Sequence, residues 1–288
     1  MKNLVLIFSF SIVLISCEKV IPFTGEISQP KLVVNSLFDS ENPWRVHVSH
    51  SLSVIDNGEL GDVEDATVII KDSLGNIVET LAYESEGYYR GNNYPQSDQD
   101  YRIEVAANGY TDVYSRDRLP SEINIISVDT MTNIIDGEEQ FDMNILFQDP
   151  GDARNYYRVS VHVGYWEIDW NTGDSILIEY QMPVLLEDPV FNNQNNWENE
   201  GLFTDLLFNG QEKDLEIAIE LEGKIDYIDH LEVWLYNITE ATYNFNISYN
   251  IYENATGNPF AQPVQVYSNV TNGFGIFGGA QLNVFPIK

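Results

Sequence analysis

Ala66-Thr67-Val68-Ile69-Ile70-Lys71-Asp72, then Ser73-Leu74-Gly75-Asn76, then Ile77-Val78-Glu79-Thr80-Leu81 reads as a strand, a turn and a second strand. Val68 and Ile70 fall on one face of an extended chain and Thr67 and Lys71 on the other, because side chains alternate with a period of two. β-Branched residues fill both runs, and Asp72 with Gly75 supplies the chemistry of a tight turn. Working outward, similar short runs recur at 31–35, 44–49, 87–90, 100–105 and 111–115, and Trp44, Val46 and Val48 share one face. Strands at this spacing, separated by Gly, Asp and Asn, indicate a β-sandwich over 31–120.

The Ala66-x-Val68-x-Ile70 run, the Asp-x-x-Gly turn, Gly87-Tyr88-Tyr89 and Tyr101-x-Ile103-x-Val105 together resemble an immunoglobulin-like or carboxypeptidase-regulatory-like domain. That likeness concerns fold and carries no function. Leu119-Pro120-Ser121 marks a boundary, since Pro holds the preceding residue extended. Residues 121–288 continue as a second β-rich, sandwich-like domain, so the fold class is mainly β. Tyr157, Val159, Val161, Val163 and Tyr165 share a face, and after Gly164 the apolar phase moves to Trp166, Ile168 and Trp170, as a bulge would cause. A polar loop from Asp188 to Trp197 includes Phe191, and loops of this length are often functional or disordered. Residues 239–253 admit two readings. Tyr243, Phe245, Ile247, Tyr249 and Ile251 alternate as a strand would, yet Thr239-Glu240 resembles a helix N-cap with an acid in the first turn.

The N-terminus bears on location. Lys2 precedes an apolar run interrupted by Ser9 and Ser11, which is too short to span a bilayer. The run closes on Leu14-Ile15-Ser16-Cys17, which resembles a bacterial lipobox. The resemblance implies cleavage before Cys17, acylation of its thiol and amine, and a stable membrane anchor with residues 17–30 as a tether. Cys17 is the single cysteine, so no intramolecular disulfide forms and stability comes from packing. The 45 acidic and 14 basic side chains give a net charge of −31, which repels phosphate backbones and argues against nucleic-acid binding.

The tail carries a family likeness. Asn258-Pro259-Phe260-x-x-Pro263-Val264-x-Val266-Tyr267-Ser268-Asn269-Val270-x-Asn272-Gly273-Phe274-Gly275-Ile276-Phe277-Gly278-Gly279 resembles the ending of a Bacteroidota lipoprotein family, catalogued as a domain of unknown function in the four-thousands of that series. Leu32-Val33-Val34-Asn35, Asp149-Pro150 and Asn155-Tyr156-Tyr157 extend the match over most of the chain. The resemblance implies a helix over 239–253, display at the outer membrane, and partnership with TonB-dependent receptors of the SusC type. It implies no reaction. The glycines at 273, 275, 278 and 279 fit close backbone approach, because a phosphate-cradling loop would want a following helix and Lys.

The sequence contains no Gly-x-Ser-x-Gly elbow and no His-Glu-x-x-His. His47 and His50 lie three apart on a strand and point to opposite faces, which spoils a zinc pair. Asp149-x-x-Asp152-x-x-Asn155 offers oxygens to calcium without the EF-hand pattern, so a solvated turn competes with that reading and no cofactor is expected. Trp166, Trp170, Phe191 and Trp197 are the candidate contact residues for a partner or ligand, with core packing as the alternative for Trp166 and Trp170. The expectation is a non-enzymatic accessory protein of a TonB-dependent transporter in nutrient capture. A surface adhesin and a carboxylate-based hydrolase are the alternatives.

Overall fold

The computed structural model describes residues 29–53, 60–135, 138–151, 153–169, 172–193, 196–220, 228–256, 261–262 and 264–288. Cys17, Trp170, Asn258, Pro259, Phe260 and Pro263 lie outside the described residues. The first strands are β1 (Leu32–Phe38), β2 (Arg45–His50), β3 (Thr67–Asp72), β4 (Ile77–Ser85), β5 (Tyr88–Arg90), β6 (Gln99–Ala106) and β7 (Val113–Leu119). They form where apolar residues alternate: Val46, Val48, Val68 and Ile70 are fully buried, and Trp44 nearly so. In the turn after β3, the Asp72 carboxylate accepts the N–H groups of Leu74 (2.9 Å) and Asn76 (2.8 Å). Gly75 takes φ +88° there, a conformation that favours glycine.

The second half contains β8 (Ile125–Ile135), β9 (Glu138–Gln148), β10 (Tyr156–Ile168), β11 (Ser175–Met182), β12 (Val184–Leu186), β13 (Trp197–Glu198), β14 (Gly201–Thr204), β15 (Glu212–Glu220) and β16 (Ile228–Ile238). An α-helix, α1 (Glu240–Ala255), follows, the one α-helix among the described residues, and then β17 (Phe274–Pro286). The protein is mainly β, with two sheets in a sandwich-like arrangement. The larger sheet has twelve strands, in the order β11-β10-β16-β17-β1-β2-β5-β4-β3-β6-β7 with β14 beside β10, and the smaller has the order β13-β12-β15-β9-β8.

β17 ties the ends of the chain together. Its first half runs parallel to β1, from Val33 opposite Phe274 to Phe38 opposite Gly279. Its second half runs antiparallel to β16, from Ile238 opposite Ala280 to Glu232 opposite Pro286. The two ladders therefore hand over between Gly279 and Ala280. Phe277 enters the core formed by β1 to β7, with its ring 4.6 Å from that of Phe38. Phe285 packs on the other core, built around Phe147, Tyr157 and Phe203.

The helix reading of 239–253 holds against the local alternation. Thr239 caps the helix, its hydroxyl accepting the Thr242 N–H at 3.3 Å. Tyr243 and Ile247, one turn apart, pack on Tyr156, Leu202, Ile238 and Ala280. The remaining aromatics of the alternating pattern spread along the other side, where Phe245 and Tyr249 stack at 5.8 Å.

The tail motif is used for close packing. The Asn269 side chain brackets Phe277, accepting its N–H (3.0 Å) and donating to its carbonyl (2.7 Å). Tyr267 N–H donates to Ser248 Oγ on α1 at 2.8 Å, and Ser268 Oγ accepts the Val270 N–H at 3.3 Å. A Cβ would sit 2.5 Å from Leu32 O at Gly273, 2.1 Å from Val34 O at Gly275, and 2.3 Å from Thr242 Oγ1 at Gly278. Gly279 is the tightest junction. Its N–H donates to Asp117 (3.1 Å) while its carbonyl accepts Thr239 N–H (3.2 Å) and Thr242 Oγ1 (3.1 Å). Burial pushes the Asp117 carboxyl up to about 6, against the hydrogen bonds from Thr239, Arg118 and Gly279 that lower it.

A Cβ at Gly279 would lie 2.0 Å from the Arg118 carbonyl, which is backbone and has little room to move. Gly279→Ala is expected to lower stability by about 1–3 kcal/mol, read as a fall in the urea midpoint at an unchanged slope. An unchanged midpoint would mean that β7 and β17 are free to separate at that point.

Candidate functional site

The site is built by an irregularity in the pairing of β10 with β16. Gly164 faces His230, but the next residue, Tyr165, faces Ile228, so Asp229 is an extra residue on β16. β10 keeps unbroken register with β11, from Val161 opposite Met182 to Ile168 opposite Ser175. The irregularity thus occurs where the sequence suggests one, yet the extra residue belongs to the neighbouring strand. β10 continues its alternation, and Trp166 and Ile168 fall on the face opposite the core.

This bulge re-aims side chains. Asp229, displaced from the ladder, accepts the Trp166 indole N–H at 2.6 Å, although the two residues are 63 apart in sequence. Its other oxygen lies 3.2 Å from His230 Nδ1, and His230 Nε2 lies 2.9 Å from Glu179 of β11. Gly164 makes room for the imidazole, since a Cβ there would come within 2.2 Å of the His230 ring. Trp166 remains 57% exposed despite being held by its indole nitrogen, so it is an aromatic surface with little freedom to turn. Leu177 stands directly opposite Trp166 on β11, and Leu177, Ile168, Ile176 and Tyr180 are all substantially exposed. The result is an apolar hairpin end bordered by acids.

Electrostatics follow from the same geometry. Hydrogen bonding to Asp229 holds the His230 imidazole above its ordinary value, with Glu179 adding to it and slight burial opposing. In its charged form both ring nitrogens donate, one to each carboxylate, so the ring bridges two acids and has no nitrogen left to act as a base. Further down the same sheet, His162 stacks on Trp234 with centroids 3.8 Å apart, and burial lowers its pKa.

The other residues singled out from sequence do not converge here. Phe191 is 3% exposed, packed on Phe203 with centroids 5.3 Å apart and filling the space above Gly201. It is a core residue and not a contact, because the Asp188 loop folds inward through Lys213 and the Glu216 N–H. Trp197 is half-exposed on β13, in the smaller sheet. Asp149 is buried and serves structure: one oxygen accepts from Tyr157 OH and from Asn155 Nδ2 (3.3 Å), the other from the Gly210 N–H (2.7 Å). Asn155 donates its amide nitrogen to the Pro150 carbonyl at 2.8 Å. Asp152 lies outside the described residues. Among the described residues, no group of three or more His, Cys, Asp or Glu side chains is arranged to hold a metal ion. Asp229, His230, Glu179 and Leu177 were not recognised from sequence, since only strand pairing brings them to Trp166.

The two histidines should titrate in opposite senses. His230, raised, contributes stability that is complete below its unfolded value and is lost as pH rises through its folded value. His162, lowered, contributes stability that is complete above its unfolded value and is lost as pH falls. Ring-proton NMR titration is expected to find His230 above and His162 below about 6.5, with Asp229→Asn moving His230 downward. A reversed order would contradict the geometry.

No curated protein matches the chain. A family model described as Domain of unknown function (DUF4249) matches residues 18–283, nearly the whole length. The chain therefore belongs to the DUF4249 family.

Proposed function

We propose that the protein is an outer-membrane lipoprotein of a Bacteroidota cell, anchored through an acylated Cys17 and displayed at the surface. In this reading it acts without catalysis, as the binding partner of a SusC-type TonB-dependent transporter in nutrient capture. The observation that carries the proposal is the exposed, hydrogen-bonded Trp166 with Ile168 and Leu177 around it. Rigid aromatics surrounded by smaller apolar groups are the usual centre of a protein interface.

Position supports the reading. Gln29, at the end of the proposed tether, and Lys31, just after it, border the same crevice as Thr111 and Asn272, just before β17 begins. β17 then runs 13 residues, about 40 Å of extended chain, to Pro286 opposite Glu232, close to Asp229. In this reading the tether leaves near the start of β17 and the apolar hairpin lies beyond its other end, which would hold the hairpin clear of the membrane surface for a partner. The acidic border would steer association toward basic surfaces and keep the free protein soluble.

Affinity purification of the native lipoprotein in mild detergent is expected to recover a β-barrel receptor. Trp166→Ala should abolish recovery while leaving the circular dichroism unchanged. Phe191→Ala, in contrast, should cost about 3–5 kcal/mol of stability, since that ring fills a core. Failure to recover a receptor with the intact chain would sink the proposal, and binding to matrix or glycans without one would favour an adhesin.

A further inference from the structure

A second feature lies on β3, β6 and β7, in a cleft of about 610 Å³. Lys71, Arg102 and Arg116 stand directly opposite one another across these three strands, and Arg118 follows on β7. Like charges in facing positions destabilise a sheet, so this row works against folding. It gathers four of the chain's 14 basic side chains into one cleft of a protein with a net charge of −31.

Four acids, Asp72, Asp100, Glu104 and Asp117, also line the cleft, so its formal charge is balanced, and what sets it apart is where the charges are directed. Glu104 takes both Lys71 (2.5 Å) and Arg102 (2.9 Å), and the hydrogen bond from Lys71 is the main cause of its lowered pKa. Asp72 is committed to its turn, with Asn76 Nδ2 at 2.9 Å in addition to the two N–H groups. Arg118 pairs with Asp98. Asp117 directs one oxygen away from the cleft, to Thr239 and Gly279. Asp100 is the remaining acid in the lining. Arg116 is exposed and, among the described residues, makes no ion pair. The Arg102 guanidinium is steadied by the Tyr114 ring, 4.6 Å from its centroid.

We propose that this cleft binds the oxyanion group of a small ligand, a sulfate, phosphate or carboxylate, between Arg102 and Arg116. Guanidinium groups present paired N–H donors that match such groups, and the bound anion would relieve the repulsion across the row. Elsewhere the acidic surface repels anions, which makes the cleft selective by position.

The test is an NMR titration of the arginine Nε–Hε resonances with sodium sulfate, sodium phosphate or galacturonate, at fixed pH and with ionic strength held by sodium chloride. Saturable shifts at Arg102 and Arg116 are expected, weakened about tenfold or more by Arg116→Gln and unaffected by Arg45→Gln on β2. Tighter binding of galacturonate would identify a carboxylated sugar as the ligand class, and tighter binding of sulfate or phosphate a tetrahedral oxyanion. No saturable shift with any of the three, or equal binding by Arg116→Gln with its fold intact, would overturn the proposal.

Discussion

At Gly279 three requirements meet in one residue. The ladder to β1 ends there and the ladder to β16 begins at the next position. The N–H is taken by Asp117, and the carbonyl by the first turn of α1. Buried backbone groups must be paired, and here their partners come from β7, the helix cap and the strand itself. The absence of a side chain is what lets Arg118 approach. The sequence-distant strands β1 and β16 are joined in this way, and the Phe277 and Phe285 rings commit β17 to both cores.

The same long sheet gives the exposed site its form. Once β10 and β16 are paired on both sides of the shift, His230 with Gly164 and Ile228 with Tyr165, the extra residue Asp229 has nowhere to pair and turns outward. It then fastens Trp166, which would otherwise move freely on an exposed hairpin. A fixed aromatic loses less entropy on binding than a mobile one, so a defect in the ladder becomes a feature of the surface. The charged row on β3, β6 and β7 has a parallel logic, because a locally unfavourable arrangement is retained by a well-packed sheet.

Much of the fold was legible from local pattern. Trp44, Val46 and Val48 on one face, the Asp72 turn and the cap at Thr239 are each encoded within a few residues, where period and turn chemistry operate. The strand-like alternation of 243–251 misleads, because α1 is selected by its cap and by packing of Tyr243 and Ile247, and those partners are distant in sequence. Phe191 misleads for the same reason, since a polar loop can carry one ring into a core. The parallel pairing of β1 with β17 and the meeting of Trp166 with Asp229 have no short-range signal. They are set by sheet register, which a single sequence does not display.

The central claim is that β17 unites both cores into one cooperative structure, and native-state hydrogen exchange reads this directly. Amides in the β17 ladders on both sides of Gly279 are expected to exchange with one common free energy, equal to that of global unfolding. Separate free energies for the amides paired with β1 and those paired with β16, with one group opening while the other stays protected, would contradict the account.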